Sequence, residues 1–126
     1  MTPEQIAKES EDSHQIALMC WCNLAETKIK YPQLKWLFHV PNGGARDKRE
    51  GAKFKAMGVK RGIPDLHLVW AVGNYSGLVI ELKNDKGVVS VEQSEWLAHY
   101  HSQGYISVVC YGWIAARDAI INYLEG

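Results

Sequence analysis

The sequence predicts an α/β fold, a mixed β-sheet flanked by helices, and three observations carry that expectation. Helix-like and strand-like stretches follow one another in the order α β α β β α β α, the pattern of a sheet with helices on both sides. The two central strand-like runs are separated only by Gly73-Asn74-Tyr75-Ser76-Gly77, a loop short enough to make them a hairpin. No repeat, low-complexity segment or linker interrupts the string, so residues 1–126 read as one domain. A chain of that length buries about two-thirds of its unfolded surface and needs no disulfide staples.

The elements follow in order. Residues 3–30 read as one long helix, with Ile6, Ile16, Ala17, Cys20, Leu24 and Ile29 drifting along one side and Pro32 ending it. Residues 34–40 (LKWLFHV) read as a strand stopped by Pro41-Asn42-Gly43-Gly44, a strong turn signal. A basic helix is expected over residues 46–57, closed by Gly58. Residues 65–72 (DLHLVWAV) and 78–84 form the hairpin strands. After Asp85-Lys86-Gly87, Ser90 and Gln93 have the spacing of a capping box, opening a helix to about residue 103 that Gly104 terminates. Residues 105–111 are a fourth strand. Residues 114–124 are a last helix, with Ile114, Ala115, Ala119, Ile120 and Leu124 along one face.

Composition narrows the setting. The sequence is 47% hydrophobic and 22% charged, without an apolar run long enough to cross a membrane and without a charged-then-apolar leader. A soluble, unprocessed protein is expected. Cys20, Cys22 and Cys110 are an odd set, and no second Cys/His pair has zinc-ligand spacing, so reduced, buried thiols in a reducing cytoplasm are expected. The formal charge of zero hides an asymmetry: residues 46–61 (RDKREGAKFKAMGVKR) hold seven basic and two acidic residues, residues 1–30 three basic and five acidic. A compact positive patch suits a protein that holds a polyanion in one place; a solvated helix with an ordinary basic outer face fits the same run.

The chemistry-bearing residues cluster on the hairpin. Asp65 enters one strand and Glu81 lies in the other, and antiparallel pairing can bring them within a few ångströms. Two ionised carboxylates about 4 Å apart repel by ~4 kcal/mol at an effective dielectric of ~20, so such a pair shares a proton or a cation. Oxygen ligands with no imidazole or thiolate beside them suit Mg²⁺ or Mn²⁺ better than zinc. Lys83, on the same face as Glu81, could position or deprotonate a water and offset charge on a phosphoryl group. The plainer alternative is a Glu81–Lys83 ion pair on a solvated edge strand, contributing ~0–1 kcal/mol. Leu78, Ile80 and Leu82 alternate onto the other face.

Five short words stand in order along the chain: Val40-Pro41-Asn42-Gly43-Gly44, Gly51-Ala52-Lys53-Phe54-Lys55-Ala56-Met57-Gly58-Val59, Gly62-Ile63-Pro64-Asp65, Ile80-Glu81-Leu82-Lys83, and Ser90-Val91-Glu92-Gln93 with Gly104-Tyr105 beyond. Pro-Asp followed by Glu-x-Lys resembles the PD-(D/E)xK nuclease signature, and the surrounding words resemble its VRR-NUC branch. The likeness runs from about Glu11 to the C-terminus.

The resemblance implies a restriction-endonuclease-like sheet, with Asp65, Glu81 and the Leu82 carbonyl binding metal and Lys83 catalytic. An acid of the first helix often completes such sites; Glu11, on one helical face with Gln15, is the choice and Glu9 the rival. The family also places a glutamine near the site at Gln93, which the capping box alone would equally explain. Asn42 and Gly43 would border the site and let a phosphate backbone approach. Arg46, Lys48, Arg49, Lys53, Lys55, Lys60 and Arg61 would grip DNA. His39 could touch substrate, while His14, His67, His99 and His101 read as structural or surface residues. The tryptophans read as core or interface, though one exposed ring near the basic helix could stack on a base.

Short stand-alone members look like the viral or bacterial type, cytoplasmic in a bacterium or a phage-infected host. The implied function is a Mg²⁺- or Mn²⁺-dependent endodeoxyribonuclease of DNA repair, a homodimer selective for branched DNA such as four-way (Holliday) junctions. A less selective nickase or flap nuclease, or a silent nucleic-acid-binding module, are the alternatives.

Overall fold

The computed structural model describes residues 2–41 and 48–126. Strands β1 (Leu37–His39), β2 (Leu66–Leu68), β3 (Leu78–Lys83) and β4 (Ile106–Tyr111) lie side by side in that order. β1–β2 and β2–β3 are antiparallel and β3–β4 is parallel, the mixed sheet that the sequence predicts. The change of direction follows from the connections. The short connection from β2 to β3 returns the chain antiparallel, whereas helix α5 (Val91–Ser102) between β3 and β4 supplies the crossover that a parallel pair needs.

One side of the sheet carries Leu37, Leu66, Leu68, Leu78, Ile80, Leu82 and Cys110. It is closed by Leu18 and Cys22 of α2 (Glu11–Cys22) and by Ala116, Ile120 and Tyr123 of α6 (Trp113–Glu125). Each fully buried Leu or Ile contributes about 1.5–3 kcal/mol, so this layer dominates the stability. Helix α5 covers the other side over β2 to β4: Ser107 Oγ donates to the Leu97 carbonyl at 2.8 Å, and His67 Nε2 meets the Tyr100 hydroxyl at 2.9 Å.

The first expected helix is three. α1 (Pro3–Ala7), α2 and α3 (Ala25–Lys30) are separated at Ser10 and Leu24, both extended. Ser10 accepts the Ser13 N–H at 3.1 Å, so a local polar cap prevails over the continuous apolar drift. The drift itself misleads. Ile16, Leu24 and Ile29 are exposed, and the packed residues of α2 are His14, Leu18 and Cys22. Cys20 is exposed, not buried; Cys22 and Cys110 are buried as expected, and burial pushes both thiols up to about 11.

Two strands are shorter than expected. Residues Pro32–Trp36 form a 3₁₀ turn, Pro32 fitting its first position, and only Leu37–His39 remain as β1. β2 stops at Leu68, after which Val72 and Tyr75 make an isolated bridge at the loop. The basic helix is α4 (Lys48–Ala56), followed by Gly58 at a φ of 96°. Its expected start at residue 46 lies outside the described residues. β3 is an interior strand and all six of its residues are buried, so Glu81 and Lys83 are not a surface pair on a solvated edge.

This packing makes opposite forecasts for two isoleucines. Ile120→Ala should cost about 2–5 kcal/mol, because Ile120 is fully buried in the core. Ile29→Ala, at a position 82% exposed, should stay within about 0.5 kcal/mol of the parent. Urea denaturation of the two variants checks both.

Candidate active site

The β2–β3 register pairs Leu66 with Ile80 and His67 with Val79, which puts Asp65 opposite Glu81 where β2 begins. The chain is still paired there, since the Val40 N–H donates to the Asp65 carbonyl at 2.7 Å. Asp65, Glu81 and Lys83 therefore share the sheet face under α5. The Leu82 N–H donates to Asp65 Oδ2 at 2.7 Å, fixing that carboxylate across the strand pair.

Glu81 is 2% exposed. Gln93 Nε2 donates to its Oε1 at 2.7 Å, while Gln93 Oε1 accepts the Ser90 N–H at 2.8 Å. The capping box and the site contact coexist in one side chain: the box takes the oxygen and so turns the NH₂ toward Glu81. Among the described residues, Glu81 Oε2 is buried without a hydrogen-bond partner. Burial first, and then the charge of Asp65, push the Glu81 carboxyl up to about 8. Asp65 is also raised, by burial, against the lowering effect of the Leu82 N–H.

Lys83 is 7% exposed. Its Nζ lies 3.7 Å from Glu81 Oε1 and 3.8 Å from Glu11 Oε1. Glu11, in the first turn of α2, is thus the helix acid that reaches this group, through Lys83. Glu9 precedes α2 in the turn between helices. Among the described residues no three or more acid, His or Cys side chains gather into one cluster. The carboxylate set is the Asp65–Glu81 pair, with Glu11 joined to it through the Lys83 ammonium.

Two glycines complete the site, and sequence reading did not single them out for it. Gly62 has a φ of 84°, and a Cβ there would lie 2.6 Å from the Glu92 carbonyl carbon, so the segment leading to Asp65 packs directly on the first turn of α5. A Cβ on Gly87 would lie 2.8 Å from Lys83 Cδ and 3.1 Å from Glu11 Oε1. Gly62-Ile63-Pro64 and Lys86-Gly87 are visible turn signals, but nothing local says what they pack against.

The other expected residues are more dispersed. His39 is exposed and its Nδ1 lies 2.9 Å from the Asp65 carbonyl oxygen, beside the site. His14 is buried, and its Nδ1 accepts the Trp113 N–H at 3.0 Å, a structural role at the start of α6. Lys53, Lys55, Lys60 and Arg61 are exposed. Asn42, Gly43 and Arg46 lie outside the described residues. Lys48 and Arg49 open α4, and their side chains also lie outside the description.

Comparison with known proteins agrees with this fold. The model of the VRR-NUC domain family matches residues 9–113. A solved structure described as a "VRR_NUC domain protein" is 32% identical and superposes with a TM-score of 0.76, covering 93% of this chain and 89% of its own. No curated protein sequence matches.

The pair's repulsion gives a pH dependence. A carboxyl raised to about 8 in the folded chain, against 4.5 ordinarily, makes its stabilising contribution in the protonated form, complete below about 4.5 and lost as pH rises through about 8. In EDTA, Glu81→Gln should therefore melt above the parent at pH 8–9, with the difference shrinking toward pH 5. Calorimetry across that range reads it, and a constant difference would contradict the pair's electrostatics.

Proposed function

The chain belongs to the VRR-NUC family and is a nuclease domain of restriction-endonuclease-like fold, and from that premise we propose a metal-dependent DNA endonuclease that cuts phosphodiester bonds in branched DNA. The observation that carries the proposal is the face shared by half-buried Asp65 and buried Glu81 and Lys83, on which one Glu81 oxygen has no partner among the described residues. The donors fit a hard divalent cation such as Mg²⁺ or Mn²⁺: only oxygens are offered, and a cation can take the place of the proton that the two carboxylates otherwise share. Asp65, Glu81 and the Leu82 carbonyl would hold the cation, with Glu11 completing the site through Lys83. Bound there, a divalent cation supplies Lewis-acid polarisation of the phosphoryl group and a more acidic water.

The remaining work falls to the chain's own groups. Gln93 holds Glu81 in one orientation by occupying Oε1, which leaves Oε2 without a partner among the described residues. Lys83, kept near both Glu81 and Glu11, orients the attacking water and offsets the negative charge that develops on the phosphoryl oxygens. Lys53, Lys55, Lys60 and Arg61 grip the phosphate backbone, which gives affinity without sequence preference. A four-way junction has two-fold symmetry and needs paired cuts, so a homodimer acting in a bacterial or phage-infected cytoplasm fits the substrate.

Labelled four-way junction, flap and linear duplex, each incubated with Mg²⁺, Mn²⁺ or EDTA, test the proposal. Cutting with metal and none with EDTA is expected, with the junction preferred; binding without cutting under every condition would reduce the chain to a silent module. Lys83→Ala should lower the cleavage rate by about 10²- to 10⁴-fold while leaving binding in EDTA nearly intact. Lys53→Ala and Lys55→Ala should instead weaken binding to all substrates, each reducing the slope of log affinity against log salt by about 1.

A further inference from the structure

The sheet face that bears the carboxylates is only partly covered. α5 lies over β2 to β4, as its contacts with His67, Glu81 and Ser107 mark. Beyond it, on the edge strand β1, Phe38 is paired with His67 and remains 48% exposed. Phe38 belongs to the row of side chains next to the one that holds Asp65 and Glu81. Two residues along one strand and one strand across place it roughly 8 Å from Asp65.

An exposed aromatic on an edge strand is by itself unremarkable. What distinguishes Phe38 is the support beneath it. Its ring lies nearly parallel to that of His67, with centroids 5.2 Å apart and an interplanar angle of 8°. His67 is buried, and the Tyr100 hydroxyl at 2.9 Å from Nε2 fixes its ring. Tyr100 is wedged in turn edge-on against Tyr105, centroids 5.1 Å apart. Among the described residues, the face of Phe38 turned away from His67 lies at the sheet edge, in the row next to the carboxylates. A flat apolar surface already ordered, about a nucleotide's reach from the group that would hold a phosphate, matches a base in both size and chemistry.

We propose that Phe38 is a stacking platform for one nucleobase adjacent to the scissile phosphate, so that the site takes DNA whose strand is unpaired or unstacked at the cut. This rests on the nuclease reading above. A base within a continuous duplex is stacked on both sides and cannot lie on Phe38 without being flipped out. A base at a branch point or flap is released at little cost. Selectivity for branched DNA then comes from a step on the sheet surface, while the basic helix supplies affinity. The same step serves any of the four bases, since each has a π-face.

The test uses the fluorescent base analogue 2-aminopurine at the unpaired nucleotide beside the branch of a flap or junction, titrated in EDTA so that no strand is cut. The parent protein should quench it on binding. Phe38→Leu, which keeps an apolar side chain on the strand, should abolish the quenching and bind the branched substrate about tenfold more weakly, with linear-duplex affinity unchanged. Phe38→Tyr and Phe38→Trp should restore both, a rescue that a merely structural role would not show. Parent-like quenching and affinity in Phe38→Leu would overturn the platform, as would equal losses in the leucine and tryptophan variants. Cleavage with Mg²⁺ and Mn²⁺ is scored separately. Quenching that depends on the ring supports the platform even where neither metal brings about cutting, and metal-dependent cutting with an unchanged substrate preference in Phe38→Leu sinks the platform while leaving the nuclease reading intact.

Discussion

The structure turns on two carboxylates held opposite each other across an antiparallel strand pair. Directly opposed residues have Cβ atoms about 4.5–5.5 Å apart, and at such separations two ionised carboxylates repel by ~4 kcal/mol at an effective dielectric of ~20. Ionised together, as they become when pH rises through about 8, Asp65 and Glu81 would push the strands apart. The opposite face prevents it. Leu78, Ile80 and Leu82 are fully or almost fully buried, each contributing about 1.5–3 kcal/mol, and a slip by one residue would drive Glu81 and Lys83 into the core and those three out of it. Hydrophobic burial exceeds the repulsion and sustains it.

The pair is then held by groups whose other attachments are structural. Gln93 cannot turn away from Glu81 without giving up the Ser90 N–H. The Leu82 N–H points at Asp65, so the donor comes from β3 itself. Gly62 lets the segment before Asp65 lie on the backbone of α5, and the Gly112 N–H donates to the Lys83 carbonyl at 2.7 Å, tying the end of β3 to the start of α6. Each functional side chain thus sits on an element fixed by another, the condition for a site held to within fractions of an ångström.

How much of this the sequence discloses depends on the range of the deciding interaction. The capping box at Ser90, the hairpin and the α6 helix are local patterns and appear where they are expected. The alternation of β3 places Glu81 and Lys83 on one face and Leu78, Ile80 and Leu82 on the other. The first helix fails because apolar periodicity says which residues could share a face, not which face the sheet will cover: Ile16 and Ile29 satisfy the pattern and remain in solvent, while His14 is buried because it caps a helix 99 residues away. Gly62 is illegible for the same reason, since the Glu92 backbone it packs on is 30 residues away, and so is the approach of Gly87 to Glu11. Burial of Glu81 was equally out of reach, because a strand's own residues do not reveal whether it is central or at the edge.

Lys83 shows how the charges in the cluster are proportioned. It stands near both Glu81 and Glu11, and its charge also reaches Asp65, as does that of His39. Replacing it with a neutral group would leave desolvated carboxylates with nothing opposite, and adding a second base would satisfy them and leave no call for a cation. Both ion-pair distances, 3.7 and 3.8 Å, are longer than a charge-assisted hydrogen bond at 2.7–2.9 Å. The ammonium is therefore attracted to both acids without giving either of them its hydrogens at close range. In the proposed chemistry that is the useful state for it, because a lysine tightly hydrogen-bonded to Glu81 would occupy a ligand and withhold its donors from the phosphate. Burial, and then the Asp65 charge, raise the Glu81 carboxyl against the lowering effect of Lys83, and the same loose pairing keeps Lys83 available.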